Sequence, residues 1–106
     1  MSITVPLADL PATLADFPWC YLVTVGDDQR AHSLAVPAVL VDGRFTATAG
    51  RSTRGNVTAR PTVTLVFPPA SGREYSLIVD GLAQVEGEQV LIEPTGAVMH
   101  RPALPA

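Results

Sequence analysis

The chain has 106 residues, a formal net charge of −3, and 47% apolar against 16% charged residues, which excludes a disordered chain. At this length one domain is expected, spanning residues 1–106, with one core and little room for a deep private site. The net acidity argues against nucleic acid as the main partner, and no run approaches the roughly 20 apolar residues of a membrane helix.

Taken in chain order, residues 7–17 read as a short helix. Leu7, Leu10, Leu14 and Phe17 recur at spacings of three and four and form one apolar stripe. Pro6 precedes it, Pro18 stops it, and Pro11 offers a second start for the regular helix. Residues 19–25 (WCYLVTV) are β-branched and aromatic, hence a strand. Gly26-Asp27-Asp28-Gln29 is a turn. Residues 31–41 form a second strand, dented at Pro37, which cannot donate to a ladder. Asp42-Gly43 is a hairpin signal leading to a third strand over 44–48, so these strands form an antiparallel meander.

The pattern then breaks. Gly50 opens a segment in which Ser52 and Thr53 are candidate caps, and a short helix is predicted over 53–60, ended by Pro61. Residues 62–67 (TVTLVF) alternate as a strand. After the loop 68–72, residues 75–86 form a long strand with a bulge or bend at Gly81. Gly87 turns the chain into strands over 88–93 and 96–100. The fold class is therefore mainly β: a six- to seven-stranded antiparallel barrel or sandwich with two short helices.

Charge is unevenly placed. No Asp or Glu occurs from Gly43 to Arg73, while the same stretch holds Arg44, Arg51, Arg54, Arg60 and Arg73. Clustered positive charge focuses the local field on small anions. Within it, Gly50-Arg51-Ser52-Thr53-Arg54-Gly55-Asn56 joins a strand end to a helix start. Free N–H groups at a helix start attract phosphate, hydroxyls donate to its oxygens, and arginines add charge-assisted bonds. The bland alternative is an ordinary capped helix with solvent-facing arginines.

Other reactive residue types carry less. Cys20, the sole cysteine, sits between Trp19 and Tyr21 in a strand and reads as a core residue. It allows no internal disulfide, which fits a reducing compartment. The N-terminus has neither the positive charge nor the apolar run of a secretory signal, so a cytoplasmic location is expected. His32 and His100 lack metal-ligand spacing, and no nucleophile triad, dinucleotide fingerprint or Walker loop is present. A phosphate cradle without acid–base equipment implies borrowed reactivity, as a bound cofactor supplies. The apolar surplus of so short a chain points to a subunit interface.

The run RFTATAGRSTRGNVTARPTVTLVF, from Arg44 to Phe67, resembles the central region of the pyridoxamine 5′-phosphate oxidase-like, FMN-binding split-barrel superfamily. There a strand ends in small or hydroxyl residues, a basic Ser/Arg/Lys stretch follows, and a short helix with an Asn-Leu-like pair leads through proline to an apolar strand. Asn56-Val57, Arg60-Pro61 and the strand from Thr62 to Phe67 match that order. The segments YSLIVDG, from Tyr75, and PTGAVMHRP, from Pro94, resemble a short actinobacterial-type branch. The resemblance implies a split barrel and a homodimer with FMN at the subunit interface; a related branch uses a deazaflavin coenzyme. It implies phosphate contacts from Arg51, Ser52, Thr53, Arg54 and Asn56, with Thr48 and Ala49 along the isoalloxazine ring. In the superfamily two basic residues usually stand together before the helix, whereas here Arg51 and Arg54 are separated. The chain ends soon after Arg101, so pyridoxamine phosphate oxidation itself is not expected. The expected function is a flavin-dependent oxidoreductase of an unassigned small molecule. The alternatives are a non-catalytic cofactor- or metabolite-binding module and, less favoured by charge and aromatic content, an oligonucleotide-binding barrel.

Overall fold

Along β2 (Trp19–Val25) Cys20, Leu22 and Thr24 point inward, while Trp19, Tyr21 and Val25 point outward. That period of two recurs in β5 (Arg44–Thr48), β6 (Thr62–Phe67) and most of β7 (Ser76–Glu86). It builds a computed structural model in which residues 1–103 are described. The other strands are β1 (Ser2–Thr4), β3 (Ala31–Pro37), β4 (Leu40–Val41) and β8 (Gln89–His100).

The eight strands form one antiparallel sheet, seven of them in the order β3-β2-β6-β7-β8-β5-β4 with β1 added beside β8, curled into a half-barrel. β8 pairs with β7 along its whole length. Its other edge is shared end to end by β5 at Gln89–Ile92 and β1 at Val98–His100. Phe67, Leu22, Leu65, Leu77, Val79, Val90 and Ile92 fill the interior, each fully or almost fully buried. Complete burial of one such side chain contributes about 1.5–3 kcal/mol. Phe67 gathers Phe17 and Phe45 around it at ring-centroid distances of 6.2 and 5.8 Å.

Two helical segments sit at opposite ends of this interior. The first is a 3-10 turn (Leu7–Asp9), α1 (Leu10–Thr13) and a second 3-10 turn (Leu14–Asp16), which bring Leu10 and Phe17 against the Phe67 end. The second is α2 (Arg51–Ala59), which buries Val57 at the Thr24 end of β2.

The fold class agrees with the sequence reading, and the differences lie in how strands divide. The segment 31–41 is two strands. Pro37 has no N–H, and Ala38 then donates to the Pro18 carbonyl at 3.0 Å while Val39 accepts from Thr46 at 3.0 Å. The segments 88–93 and 96–100 are one strand, because the β7–β8 register shifts at Asp80/Gly81 and accommodates Pro94. α2 starts at Arg51 rather than 53, since backbone geometry at Gly50 begins it without a side-chain cap. β1 has all three residues exposed and so offers no periodic signal. The Asp42-Gly43 turn has φ of 51° and 79°, the left-handed pair that a two-residue hairpin requires. No helix among the described residues is long and apolar enough to cross a membrane.

Candidate functional site

β5 runs out at Thr48, whose hydroxyl accepts a hydrogen bond from Gln89 Nε2 at 3.2 Å. Ala49 donates its N–H to the Glu88 carbonyl at 3.1 Å and turns its methyl into the core. Gly50 follows in extended geometry, and Arg54 N–H closes back on the Gly50 carbonyl at 3.0 Å to start the helix. No side chain caps this start and no acidic residue lies in the first turn. The first-turn N–H groups therefore present the positive end of the helix dipole without a covalent neighbour to neutralise it. A Cβ built at Gly50 or at Gly55 meets nothing within 4 Å, so the space beside the turn is open.

Arg51 and Ser52 are exposed, and Thr53 and Arg54 half-buried. Among the described residues neither Arg51 nor Arg54 has a carboxylate partner, whereas Arg60 pairs with Asp27 at 2.8 Å and Arg73 with Asp16 at 3.6 Å. The basic run of the sequence thus divides into arginines that bind acids and arginines with no acid partner among the described residues. Arg44, at the other end of β5, stays outside this group and lines a small hollow of about 230 Å³ with Leu82, Leu91 and Glu93.

The structure brings Arg51, Ser52, Thr53 and Arg54 into one helical turn, with Thr48 just before it. It directs Asn56 elsewhere. Asn56 Nδ2 donates to the hydroxyl of Thr24 at 3.1 Å, and Thr24 is the one buried polar side chain among the described residues, 1% exposed. The donor set left at the helix start, two guanidinium groups, two hydroxyls and free N–H groups, suits a phosphate-bearing cofactor. Cys20 lies inside the barrel, where burial pushes its thiol up to about 12, so it stays protonated. A larger hollow, about 550 Å³, lies away from α2 beside Met1, Glu74 and Arg101. There Arg101 is already paired with Glu74 at 2.8 Å and stacked on Tyr75.

Two features escaped the sequence reading. Arg60 there counted as one of the clustered arginines and as the helix exit; in the structure its Nε donates to the Val25 carbonyl at 2.7 Å. The second is an apolar outer face. Trp19 and Tyr21, 40% and 39% exposed, pack edge-to-face at 4.9 Å and continue into Val23 and Val25. Opposite them lie Pro37, Ala35, Ser33 and Ala31 of β3, and Val66 and Thr64 of β6. None of these is charged; the first charge reached is Asp80 on β7, which accepts from Thr64 at 2.9 Å. A signal was present: WCYLVTV is apolar on both parities except at Thr24, the mark of a strand covered on both faces.

No protein-family model matches the chain. Two curated relatives, the uncharacterized proteins Mb0449c of Mycobacterium bovis and MT0457 of Mycobacterium tuberculosis, are each 39% identical over 118 residues, covering 95% of this chain and 83% of theirs. Among solved structures, an F420 reductase superposes with a TM-score of 0.64 at 19% identity, over 80% of this chain and 93% of its own. The FAD-binding protein from Mycobacterium smegmatis superposes at 0.67 with 16% identity, over 95% and 100%. HutZ, the heme storage protein from Vibrio cholerae, superposes at 0.62 with 14% identity, over 89% and 93%. These likenesses establish a shared fold.

Proposed function

We propose, for a chain that belongs to the family of the mycobacterial proteins Mb0449c and MT0457, that it binds a flavin-type cofactor at the start of α2 and serves small-molecule redox chemistry in the cytoplasm. The observation that carries the proposal is the uncapped, acid-free first turn of α2, with Arg51 and Arg54 beside it and no carboxylate partner for either among the described residues. It occurs in a fold shared with proteins named as an F420 reductase and as FAD-binding. FMN is the first choice of cofactor and a deazaflavin the second. Arg51 and Arg54 bind the phosphate by charge-assisted bonds, and the Ser52 and Thr53 hydroxyls and N–H groups complete the cradle. Thr48 and the backbone of Ala49 run along the ring. The bound flavin supplies the hydride-transfer chemistry; the protein's part is binding, orientation and exclusion of water.

The working unit is a homodimer with the cofactor at the subunit interface. The uncharged outer face of β2, β3 and β6 supports it, since an antiparallel sheet facing water ordinarily alternates to polar side chains. A second reading is a non-catalytic holder of a cofactor or metabolite, favoured by the fold shared with a heme storage protein.

The test is a visible absorption spectrum of the purified protein, with and without added FMN or deazaflavin, before and after gel filtration. The expected outcome is a flavin-like band that travels with the protein. The Arg51→Ala, Arg54→Ala double variant is expected to lose the band while keeping wild-type circular dichroism and elution volume. A variant that keeps its chromophore overturns the site. A retained band without turnover, given nicotinamide donors and generic acceptors, selects the holder reading.

A further inference from the structure

The side-chain hydrogen bonds that fasten α2 to the barrel lie at its C-terminal end, on residues outside the proposed cradle, while its start follows the backbone anchor of Ala49 on the Glu88 carbonyl. Asn56 lies in the last turn of α2, and Arg60 is the residue that ends it, its N–H donating to the Asn56 carbonyl at 2.8 Å. Both reach β2 and the turn after it. Asn56 Nδ2 donates to Thr24 Oγ1 at 3.1 Å inside the barrel. Arg60 uses its planar fork twice, Nε to the Val25 carbonyl at 2.7 Å and an η nitrogen to Asp27 at 2.8 Å. Val57, between them in sequence, is buried. In the first turn, by contrast, no side-chain hydrogen bond ties Arg51, Ser52, Thr53 or Arg54 to the barrel among the described residues.

We infer that Asn56 and Arg60 are positioning residues: a two-point latch on β2 that sets the axis of α2, and so aims its first turn at the cofactor phosphate. The inference rests on the proposed cradle and adds residues that do not touch the ligand. A short helix behaves as a rigid rod about 1.5 Å long per residue, so loosening its last turn tilts it about the Ala49 anchor and re-aims its first-turn N–H groups. Hydrogen-bond and dipole contacts to an anion weaken steeply with such displacement. Arg60 suits the task better than lysine, because its rigid fork holds separate Nε and Nη donors on the Val25 carbonyl and the Asp27 carboxylate, whereas an ammonium offers its donors from a single mobile point.

The experiment compares FMN with riboflavin, which carries the same ring without the phosphate, by fluorescence titration of wild type, Arg60→Ala, Arg60→Lys and Asp27→Ala. Asp27 lies on the surface, its side chain 96% exposed, so its removal deletes one anchor without touching α2 or the core. Wild type is expected to prefer FMN. In Arg60→Ala the FMN affinity falls about tenfold, in line with losing aligned charge-assisted bonds, and riboflavin affinity holds. Asp27→Ala and Arg60→Lys fall between. In ligand-free protein the backbone amide resonances of Arg51 to Arg54 shift in Arg60→Ala and in Asp27→Ala. Equal loss of FMN and riboflavin, or an unchanged preference together with unmoved first-turn amides, overturns the latch while leaving the cradle intact. A wild-type protein indifferent to the phosphate overturns the cradle and the latch with it.

Discussion

Gly81 shows how one residue fixes the course of two strands. It is buried in the middle of β7, opposite Pro94, where the register shifts. A Cβ there would lie 2.6 Å from Ile92 Cγ2 and 2.8 Å from the Glu93 carbonyl oxygen. The side-chain methyl can turn aside, but the carbonyl belongs to the β8 backbone and cannot. Gly81→Ala is therefore expected to destabilise the protein by about 1–3 kcal/mol, the usual cost of overpacking. Gly55, inside α2, makes the matched control. Its Cβ would meet nothing within 4 Å, and replacing a helical glycine by alanine gains about 0.5–1 kcal/mol. Urea unfolding of the two variants is expected to move the midpoint in opposite directions; a neutral Gly81→Ala would mean that β8 yields at Pro94.

At the scale of elements, the turn between β2 and β3 joins the sheet to α2 and carries a hydrogen-bonded carboxylate of its own. Asp28 Oδ1 accepts from the Arg30 N–H at 3.0 Å and faces His32 Nε2 at 3.2 Å, with Asp27, the acceptor of Arg60, next to it in the same turn. The Arg30 N–H foremost, then His32, holds the Asp28 carboxyl below its ordinary value of 3.8. A depressed folded-state pKa means that the turn's contribution to stability is complete above the ordinary aspartate range and is lost as pH falls through the lowered pKa. An NMR titration of the Asp28 carboxyl is expected to show the depression, and His32→Ala to relieve part of it while the Arg30 N–H keeps the rest. A carboxyl that titrates at its ordinary value in both proteins would contradict this turn geometry. This turn was legible from Gly26-Asp27-Asp28-Gln29 because its residue types dictate local geometry. So were β2, β5 and β6, whose alternation is a direct image of one buried face. The start of α2 was misplaced because Ser52 and Thr53 look like caps, yet the backbone at Gly50 begins the helix without one. Of the proposed cradle, the arginines and hydroxyls could be read in advance. That Asn56 faces inward could not, since its partner Thr24 is 32 residues away. Arg60 escaped for the same reason: its two acceptors belong to another strand and turn.

At the scale of the whole molecule, the sheet has one face too apolar for water. Trp19, Tyr21, Val23 and Val25 stand in a row down β2, flanked by Ala35 and Val66, and a hollow of about 310 Å³ lies among Tyr21, Val23, Ser33 and Val66. A projecting aromatic pair beside a hollow on the same face is a shape that two copies can satisfy reciprocally, as a two-fold interface demands. Tyr21→Glu places a charge in the centre of that face without altering the inward residues Cys20 and Leu22 that hold the core. Light scattering behind gel filtration is expected to give a dimer for wild type and a monomer for Tyr21→Glu, with the circular dichroism spectrum unchanged. A wild-type monomer at micromolar concentration overturns the homodimer, and a variant that remains dimeric moves the interface to another face. The same variant separates two ways of losing cofactor. Arg51 and Arg54 are intact in it, so if the ring is enclosed by two subunits, the monomer should hold FMN more weakly than wild type even though its phosphate cradle is complete. If affinity survives the loss of the dimer, the cofactor belongs to one subunit alone, and the apolar face serves assembly and not binding.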